Sequence, residues 1–267
     1  MSDVLFPGCT VQARLPFIES AFKFILKELG KEMENLQGST CCMEPVGLRS
    51  LSQDAWLAVN ARLHSIASGR RLVTLCEGCN ISLSESSKIL KEGGEKAKET
   101  ISRLGYRQSI SDVSGSLQFL HENLDALKEK IKKPMEMKIA VFPGCHCEYV
   151  CSKKGSSATQ MMIEVLNAVG SNPIEPTSVD LCCGGGVTGI DQELDKKILS
   201  ETISSFRDTG ANAVAVACPF CFMRFDMVAK FKTYHIVELV AIALGYEDTM
   251  KYHTSRLDYS HSLNCLQ

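Results

Sequence analysis

The 267-residue sequence lacks a strong net charge and a long apolar run, and each absence excludes a class of protein. The formal net charge is −2, which argues against a nucleic-acid-binding protein, because such proteins normally present a basic face. The longest apolar run, near 236–244, contains Glu238 and is too short for a membrane span. No basic stretch precedes an apolar one at the N-terminus, so we expect a cytoplasmic protein with no secretory signal.

A phosphate-binding motif is also missing. The run Gly184-Gly185-Gly186 is glycine-rich, but no Gly-Lys-Ser or Gly-Lys-Thr follows it. We therefore expect these glycines to let the backbone approach a bound group or substrate closely. Hydrophobic residues make up 45% of the chain, so a proper core is expected rather than disorder.

Cysteine is abundant, and its positions repeat. The tetrapeptide Phe-Pro-Gly-Cys occurs at 6–9 and again at 142–145, and each copy begins a set of a single cysteine, an adjacent pair and a Cys-x-x-Cys. Ten of the 13 cysteines belong to these sets. The first set is Cys9, Cys41, Cys42, Cys76 and Cys79, and the second set is Cys145, Cys182, Cys183, Cys218 and Cys221. Such a repeat predicts two similar halves, 1–133 and 134–267, divided at a charged run that ends at Pro134.

The hydrophobic pattern predicts the same order of elements in both halves. The predicted elements are strands at 4–6, 71–75, 138–142 and 213–217 and helices at 15–29, 52–68, 156–169 and 193–206. This order is typical of an α/β fold: two Rossmann-like repeat halves related by a pseudo-two-fold, with the cysteines at the C-terminal ends of parallel strands. Ligands of open α/β sheets bind at that edge, so ten thiols are expected to converge on one cleft.

Four further segments carry weaker predictions. Residues 82–104 are predicted to be helical with a break at the paired glycines 93–94, and 109–116 to be a polar loop. One helix is expected at 117–131, and a strand leading into a helix at 234–244. The tail after Tyr252 is expected to be loosely held.

The cysteine sets favour metal binding. In a reducing compartment, 13 cysteines are more typical of metal ligands or reactive thiols than of disulfides. Thiolates are soft donors that suit zinc, copper(I) and iron–sulfur clusters. Zinc sites and ordinary four-iron clusters take four ligands, whereas each half offers five, and adjacent cysteines suit an extended cluster better than one ion. An iron–sulfur cluster in each half is favoured over zinc, and both over buried cysteines that merely fill a core.

The doubled pattern resembles the cysteine-rich CCG domains, and among them the B subunit of heterodisulfide reductase. The resemblance covers nearly the whole chain and rests on both five-cysteine sets and their flanks, such as Gly144-Cys145-His146 and Ala217-Cys218-Pro219-Phe220-Cys221. It implies that each set holds a non-cubane [4Fe–4S] cluster, two clusters in all. The first half departs from the pattern at Met43, where glycine is expected after the cysteine pair.

The reaction that this resemblance implies is reduction of a disulfide between two thiol cofactors, of the coenzyme M–coenzyme B type. The disulfide would lie between the clusters, and each cluster would supply one of the two electrons that the reaction needs. The implied partners are the C subunit of heterodisulfide reductase, which donates electrons through ordinary [4Fe–4S] clusters, and the flavin-containing A subunit.

Other residues near the sets have a functional and a structural interpretation. His146 is a candidate proton donor to a leaving thiolate, or else a histidine bonded to the backbone. Cys147 and Cys151 lie close enough to the second set in sequence to compete as ligands. Five cations would suit an anionic thiol cofactor or else lie on the surface: Arg14, Arg49, Lys153, Lys154 and Arg224. The tail offers His253, His261 and Cys265 as a metal site, although a solvated segment is the expectation there.

Two alternatives stay open. The same domains are carried by iron–sulfur subunits of lactate, glycolate or succinate dehydrogenase systems, in which the clusters pass electrons on and break no disulfide. A non-enzymatic alternative has one or both halves holding zinc and serving as a docking scaffold. Turnover of a disulfide with an artificial reductant separates the first alternative, and a colourless zinc protein without acid-labile sulfide would support the second.

Overall fold

The computed structural model describes residues 3–43, 47–93, 99, 101–106, 109–177 and 182–253, and within them it contains two parallel sheets. The first sheet has the order β1-β2-β3 and consists of Val4–Phe6, Leu72–Thr74 and Val113–Gly115. The second sheet has the order β5-β4-β6-β7 and consists, in chain order, of β4 (Lys138–Phe142), β5 (Asn172–Ile174), β6 (Ala213–Val216) and β7 (Thr233–His235).

The two sheets share one topology. The opening strand of each half, β1 or β4, pairs in parallel with the strand that precedes the Cys-x-x-Cys, β2 or β6. That strand in turn pairs with β3 or β7. Strand β5 lies on the outer side of β4, and in the first half a single parallel bridge between Leu5 and Asn35 occupies the same place. The prediction of an α/β fold with parallel strands is therefore confirmed.

Helices cover the sheets. In the first half they are α1 (Cys9–Arg14), α2 (Pro16–Glu28), α3 (Leu48–Leu51), α4 (Gln53–Ala67), α5 (Glu77–Glu92), α6 (Ser116–Glu122) and α7 (Leu124–Lys128). In the second half they are α8 (Cys145–Lys153), α9 (Ala158–Ala168), α10 (Gln192–Asp208), α11 (Pro219–Phe222) and α12 (Ile236–Ala243). A π-helix at Met223–Val228 continues α11, and a 3₁₀ turn spans Thr249–Tyr252. Within the described residues, none of the helices combines the length and the apolar character that a membrane crossing demands.

The predicted helix ends follow from local chemistry. Helix α2 starts at Pro16, which is tolerated in a first turn, and Gly30 follows its end with a φ of 66°. Helix α4 starts after Ser52, whose hydroxyl accepts a hydrogen bond from the backbone N–H of Ala55 at 3.2 Å. In the second half, Asp191 caps α10 in the same manner.

One core joins the two halves. Helix α2 packs on α12, α6 packs on α9, and α5 packs on α8, so each contact pairs a first-half helix with a second-half helix. Aromatic side chains strengthen the α2 contacts, with the rings of Phe24 and Tyr246 4.9 Å apart and those of Phe22 and Phe119 5.2 Å apart. The sheets lie on either side of the predicted boundary at 133–134, and the division into two domains stays a prediction.

Three sequence predictions were wrong in part. Residues 109–116 are not all loop, because 113–115 form β3. This strand is defined by its backbone pairing with β2, which a short polar sequence does not predict. The helix expected at 117–131 is two helices, α6 and α7, separated at Asn123, whose side chain donates to the carbonyl of Phe119 at 2.7 Å. Helix α5 begins at Glu77, earlier than residue 82, and ends at Glu92, just before Gly93.

Candidate metal centre

The first cysteine of each set begins a short helix immediately after a strand. Cys9 starts α1 and Cys145 starts α8, and the preceding Gly8 and Gly144 have φ values of 85° and 89°. A Cβ atom at Gly8 would lie 3.0 Å from the Sγ atom of Cys79, and one at Gly144 would lie 3.1 Å from the Sγ atom of Cys221. Only glycine permits both this backbone turn and this approach of a sulfur, which gives the repeated Phe-Pro-Gly-Cys a physical reason.

Each Cys-x-x-Cys forms the start of a helix. Cys76 is the N-cap of α5 and Cys218 is the N-cap of α11, directly beyond β2 and β6. The second cysteine of each motif, Cys79 or Cys221, lies in the first turn, and all four side chains are buried. Hydrogen bonding to Cys218, Cys42 and Cys183, together with burial, raises the pKa of Cys76, Cys79 and Cys221, in that order, well above the usual value for a thiol. Among these four cysteines, only the pKa of Cys218 is lowered.

The adjacent cysteine pairs have the same geometry despite different following residues. The backbone N–H of Met43 donates to the Sγ atom of Cys41, and that of Gly184 donates to the Sγ atom of Cys182, both at 3.4 Å. Met43 has a φ of 50° and Gly184 a φ of 76°, so both adopt the left-handed conformation. Met43 thus departs from the family pattern in residue type but not in backbone geometry.

The thiols of each set converge, and the two sets meet. In the first set, the Sγ atoms of Cys9 and Cys41 are 3.6 Å apart, and those of Cys42 and Cys79 are 3.3 Å apart. In the second set, Cys145 is hydrogen-bonded to Cys182, and Cys183 to Cys221. The thiols of Cys76 and Cys218 interact across the two halves. The two sets are therefore in contact at Cys76 and Cys218, and convergence of all ten thiols on one cleft stays a prediction.

Hydrogen bonding among the thiols favours thiolate at particular positions. Hydrogen bonds from Cys221 and Cys76 hold the pKa of Cys218 well below its usual range. Hydrogen bonds from Cys41 and Cys79 do the same to the pKa of Cys42. In the second half, a hydrogen bond from Cys221 also lowers the pKa of Cys183, so the second cysteine of the adjacent pair has a lowered pKa in both halves.

The residues present fit an iron–sulfur cluster in each half. Each set supplies five soft donors from three separate segments, and the glycine before the first cysteine leaves space beside the Cys-x-x-Cys sulfur. Among the described residues, no three His, Cys, Asp or Glu side chains surround a position for a single metal ion.

A cavity of about 360 Å³ opens beside the second set. All five cysteines of that set line it, together with Gly47 from the first half and Gly144, His146, Gly185, Gly186, Ile190 and Phe220 from the second. His146 is half-buried there, next to Cys145. A concave, mainly apolar site with a few polar groups is the usual form of a small-molecule pocket.

Cys147 and Cys151 form a separate buried pair. Both lie on helix α8, which packs on α5, and Cys147 is hydrogen-bonded to Cys151 and to Glu77. The side-chain amide of Gln118 donates to the Sγ atom of Cys151 at 3.6 Å. Nearby, burial raises the pKa of Glu77 to about 8, and Asn80 donates to this carboxyl at 2.7 Å. The sequence analysis missed Glu77, which lies inside the first Cys-x-x-Cys.

None of the five cations named from the sequence is among the residues that line the cavity beside the second set. Arg49 stacks 4.7 Å over the ring of Trp56, Lys153 lies 5.2 Å from the ring centre of Tyr149, and Lys154 donates to the carbonyl of Val113 at 3.1 Å. The exposed Arg14 lines another cavity, with Phe17 and Tyr252. Arg224 is buried and donates to the carbonyl of Cys183 at 3.3 Å.

His253 is the one described residue of the tail that was expected to be loosely held, and it is buried rather than solvated. Its ring is fully buried against Phe17, Phe222 and Tyr234, and its Nε2 atom is 2.8 Å from Oε1 of Glu238. Burial lowers the pKa of His253, but the hydrogen bond to Glu238 and the nearby Asp226 outweigh burial and raise it. Tertiary packing against α2 and α12 decides this position. His261 and Cys265 lie outside the described residues.

Comparison with known proteins identifies the family. The model of the cysteine-rich CCG domain matches twice, at residues 4–84 and 139–226. The chain belongs to this cysteine-rich family. Both matches contain one complete five-cysteine set, so the internal repeat is a repeat of this domain.

Relatives that match over most of their length carry names from several systems. The B subunit of the ferredoxin/F(420)H(2)-dependent CoB-CoM heterodisulfide reductase of Methanosarcina acetivorans is 30% identical over 266 residues, which cover 91% of this chain and 89% of that protein. The "8-methylmenaquinol:fumarate reductase membrane anchor subunit" of Wolinella succinogenes is 27% identical and covers 90% and 91%. "Lactate utilization protein A 1" of Bacillus mycoides is 22% identical and covers 84% and 87%. The chain is thus similar to proteins named for heterodisulfide reductase, for fumarate reductase and for lactate utilization.

A solved structure supports the fold alone. A hypothetical protein from Helicobacter pylori superimposes with a TM-score of 0.74 at 13% sequence identity. The match covers 97% of this chain and 52% of that chain, so this chain spans about half of that protein.

Proposed function

We propose that this chain is the catalytic subunit of a heterodisulfide-reductase-type complex and that it reduces a disulfide between two thiol cofactors. The observation that carries the proposal is the meeting of the two cysteine sets at Cys76 and Cys218, beside a cavity of about 360 Å³. Each five-cysteine set holds one non-cubane [4Fe–4S] cluster. The relatives named as B subunits of heterodisulfide reductases support this choice over a purely structural metal site.

The proposed reaction balances with two electrons and two protons, which convert one S–S bond into two thiols. The clusters, when bound, supply one electron each. Residues of the chain bind and orient the disulfide, since Ile190 and Phe220 form the apolar wall of the cavity and Gly185 and Gly186 let the backbone approach it. The imidazole of His146, at the same cavity, donates a proton to a leaving thiolate.

The proposed partners supply the electrons. A subunit of the C type, with ordinary [4Fe–4S] clusters, donates to this chain, and a flavin-containing subunit of the A type stands behind it. Cysteines of both sets reach the surface, since Cys9 and Cys145 are exposed and Cys41 and Cys182 are half-buried. This exposure leaves the sites accessible to a donor and to a small-molecule disulfide.

The first test is an analysis of iron, zinc and acid-labile sulfide in protein purified without oxygen. About eight irons per chain with matching sulfide are expected for two four-iron clusters. About four irons with one zinc would mean that one half is structural, which contradicts the two-cluster mechanism. Zinc alone would exclude the redox function.

The second test is disulfide turnover by the isolated, cluster-loaded protein with a reduced viologen dye as electron donor. We expect thiol release from a coenzyme M–coenzyme B type disulfide, and a rate lowered about 10²-fold or more in His146→Gln, which removes the proton donor. Clusters that accept electrons from the dye without any thiol release would favour the electron-transfer alternative. The relatives from fumarate reductase and lactate utilisation are the observation that keeps this alternative in view.

A further inference from the structure

The backbone carbonyl of the second cysteine in each adjacent pair is held by different groups in the two halves. In the first half, the carbonyl of Cys42 accepts hydrogen bonds from the side chains of Asn60 and Ser82, both at 3.0 Å. In the second half, the carbonyl of Cys183 accepts one from Nε of Arg224 at 3.3 Å. The first set of donors is neutral, and the second is a guanidinium.

Arg224 also holds the glycine run that follows the pair. Its NH2 group lies 2.5 Å from Oδ1 of Asp195 in the first turn of α10, and Thr188 donates to the same oxygen at 3.1 Å. A Cβ atom at Gly184 would lie 3.3 Å from that oxygen, and one at Gly185 would lie 4.0 Å from Cγ of Arg224. Arg224 therefore connects the pair and its glycine run to α10, and it does so with only 8% of its surface exposed.

A buried charge at this position acts on a neighbouring redox centre. Coulomb interactions are strong where water is excluded, and hydrogen bonds and charges near a cluster set its reduction potential. A guanidinium stabilises the more negative, reduced state of a nearby cluster, and a carboxylate opposes it. The guanidinium binds the carbonyl of Cys183 through Nε and Asp195 through NH2, and the carboxylate of Asp195 also lies close to Gly184.

We propose that Arg224 is a positioning residue for the second-half cluster, and that its charge makes this cluster the more easily reduced of the two. The inference rests on the proposed function, because it assumes a cluster at each set. It assigns an order to the two sites: the second-half site, which opens to the cavity, is the preferred electron acceptor. The neutral Asn60 and Ser82 leave the first-half site without this bias.

The test is an EPR-monitored redox titration of both clusters in the cluster-loaded protein. Arg224→Met should lower the midpoint potential of one cluster only, and Asp195→Asn, which removes the opposing carboxylate, should raise the potential of that same cluster. Asn60→Leu is the matched first-half control and should leave that potential at the wild-type value. Unchanged potentials in both Arg224→Met and Asp195→Asn would overturn the proposal.

Further variants keep the proposal testable if Arg224→Met loses its second-half cluster. If Arg224→Met binds about half of the wild-type iron, the positioning role is supported. The effect of the charge is then measured on the midpoint potentials of two separate variants, Arg224→Lys and Asp195→Asn. The lysine variant should retain the wild-type order of potentials, and an unshifted potential in Asp195→Asn would overturn the charge role.

Metal-free protein separates this inference from the proposed function. If wild-type protein carries no iron, the proposed function fails. The positioning role can still be tested by alkylation of the cysteines followed by mass spectrometry. Cys183 should be alkylated severalfold faster in Arg224→Met than in wild type, while Cys42 should be unaffected. Equal rates at Cys183 would overturn the positioning role.

Discussion

The two cysteine sites have the same backbone but different supporting side chains. In both, a glycine with positive φ precedes the first cysteine, and the N–H after the adjacent pair donates to a sulfur at 3.4 Å. The supporting groups differ, since Asn60 and Ser82 hold one carbonyl and Arg224 holds the other. The geometry around the sulfurs leaves little freedom, whereas a carbonyl accepts any donor that reaches it. The two copies of a duplicated site can therefore keep the same cysteines while the charges around those cysteines become different.

The same contrast recurs where the last strand of each sheet enters a helix. In the first half, the side chain of Gln118 accepts the N–H of Gly115 at 2.8 Å, and in the second, Glu238 accepts that of His235 at 2.8 Å. The other end of Gln118 reaches Cys151, and the other end of Glu238 reaches His253. The turn into this helix is thus held by a neutral hydrogen-bond network around Gln118 in the first half and by a charged network around Glu238 in the second.

Substitution of the glycine before each first cysteine has the largest expected effect. Gly8→Ala and Gly144→Ala should each lower the iron content by about half, because the added Cβ meets a Cys-x-x-Cys sulfur. Gly30→Ala is the control, since Gly30 also has a positive φ but no atom within 4 Å of an added Cβ. Full iron in Gly144→Ala would contradict the assigned role of the glycine.

Replacement of His253 tests the charged network of the second half. His253→Leu leaves Glu238 and Asp226 buried without this partner, which should cost about 3–5 kcal/mol in the free energy of unfolding. Because the folded-state pKa of His253 is raised, its contribution is complete below the unfolded-state pKa and is lost as the pH rises through the folded-state value.

Denaturant unfolding of metal-free protein at several pH values measures this effect. The difference between wild type and His253→Leu should shrink as the pH rises. Gln118→Leu, at the neutral network, should show a difference that does not follow the His253 titration. A wild-type curve parallel to that of His253→Leu would contradict the raised pKa.

Removal of the Ser82 hydroxyl tests the neutral support of the first half. This oxygen accepts the indole N–H of Trp56 at 2.7 Å and donates to the carbonyl of Cys42, so Ser82→Ala leaves a buried donor unpaired. The expected loss is about 1–3 kcal/mol in the free energy of unfolding, measured with denaturant. Ser84→Ala, at a half-buried hydroxyl, is the control and should cost less. Equal losses would mean that the buried network adds nothing.

Exchange of the residue after each cysteine pair has the smallest expected effect. Met43→Gly should stabilise the metal-free protein by about 1 kcal/mol, because glycine adopts the left-handed conformation without steric cost. Gly184→Ala should have the opposite sign, since its Cβ would also approach Asp195 at 3.3 Å. Thermal unfolding of both variants measures the difference, and a destabilised Met43→Gly would contradict the strain assigned to Met43.

Sequence patterns predicted the long helices and the opening strands well, because their apolar periodicity and end residues are local. The pattern failed for β3, since Val113-Ser114-Gly115 has no strand signal of its own and becomes a strand by pairing with β2. It failed for His253, a polar residue in a polar segment that is buried by aromatic rings from other elements.

The sequence by itself determined the family, the repeat and the residues that make up the two sets, because cysteine spacing and the glycine before the first cysteine are local chemical requirements. Only the tertiary structure decided that Cys76 meets Cys218, that Cys147 and Cys151 pair with each other, and that Arg224 holds a cysteine carbonyl. These contacts join residues far apart in the chain or fix which way a helix faces. They depend on how the two sheets pack through α2, α5 and α6, which no local pattern encodes.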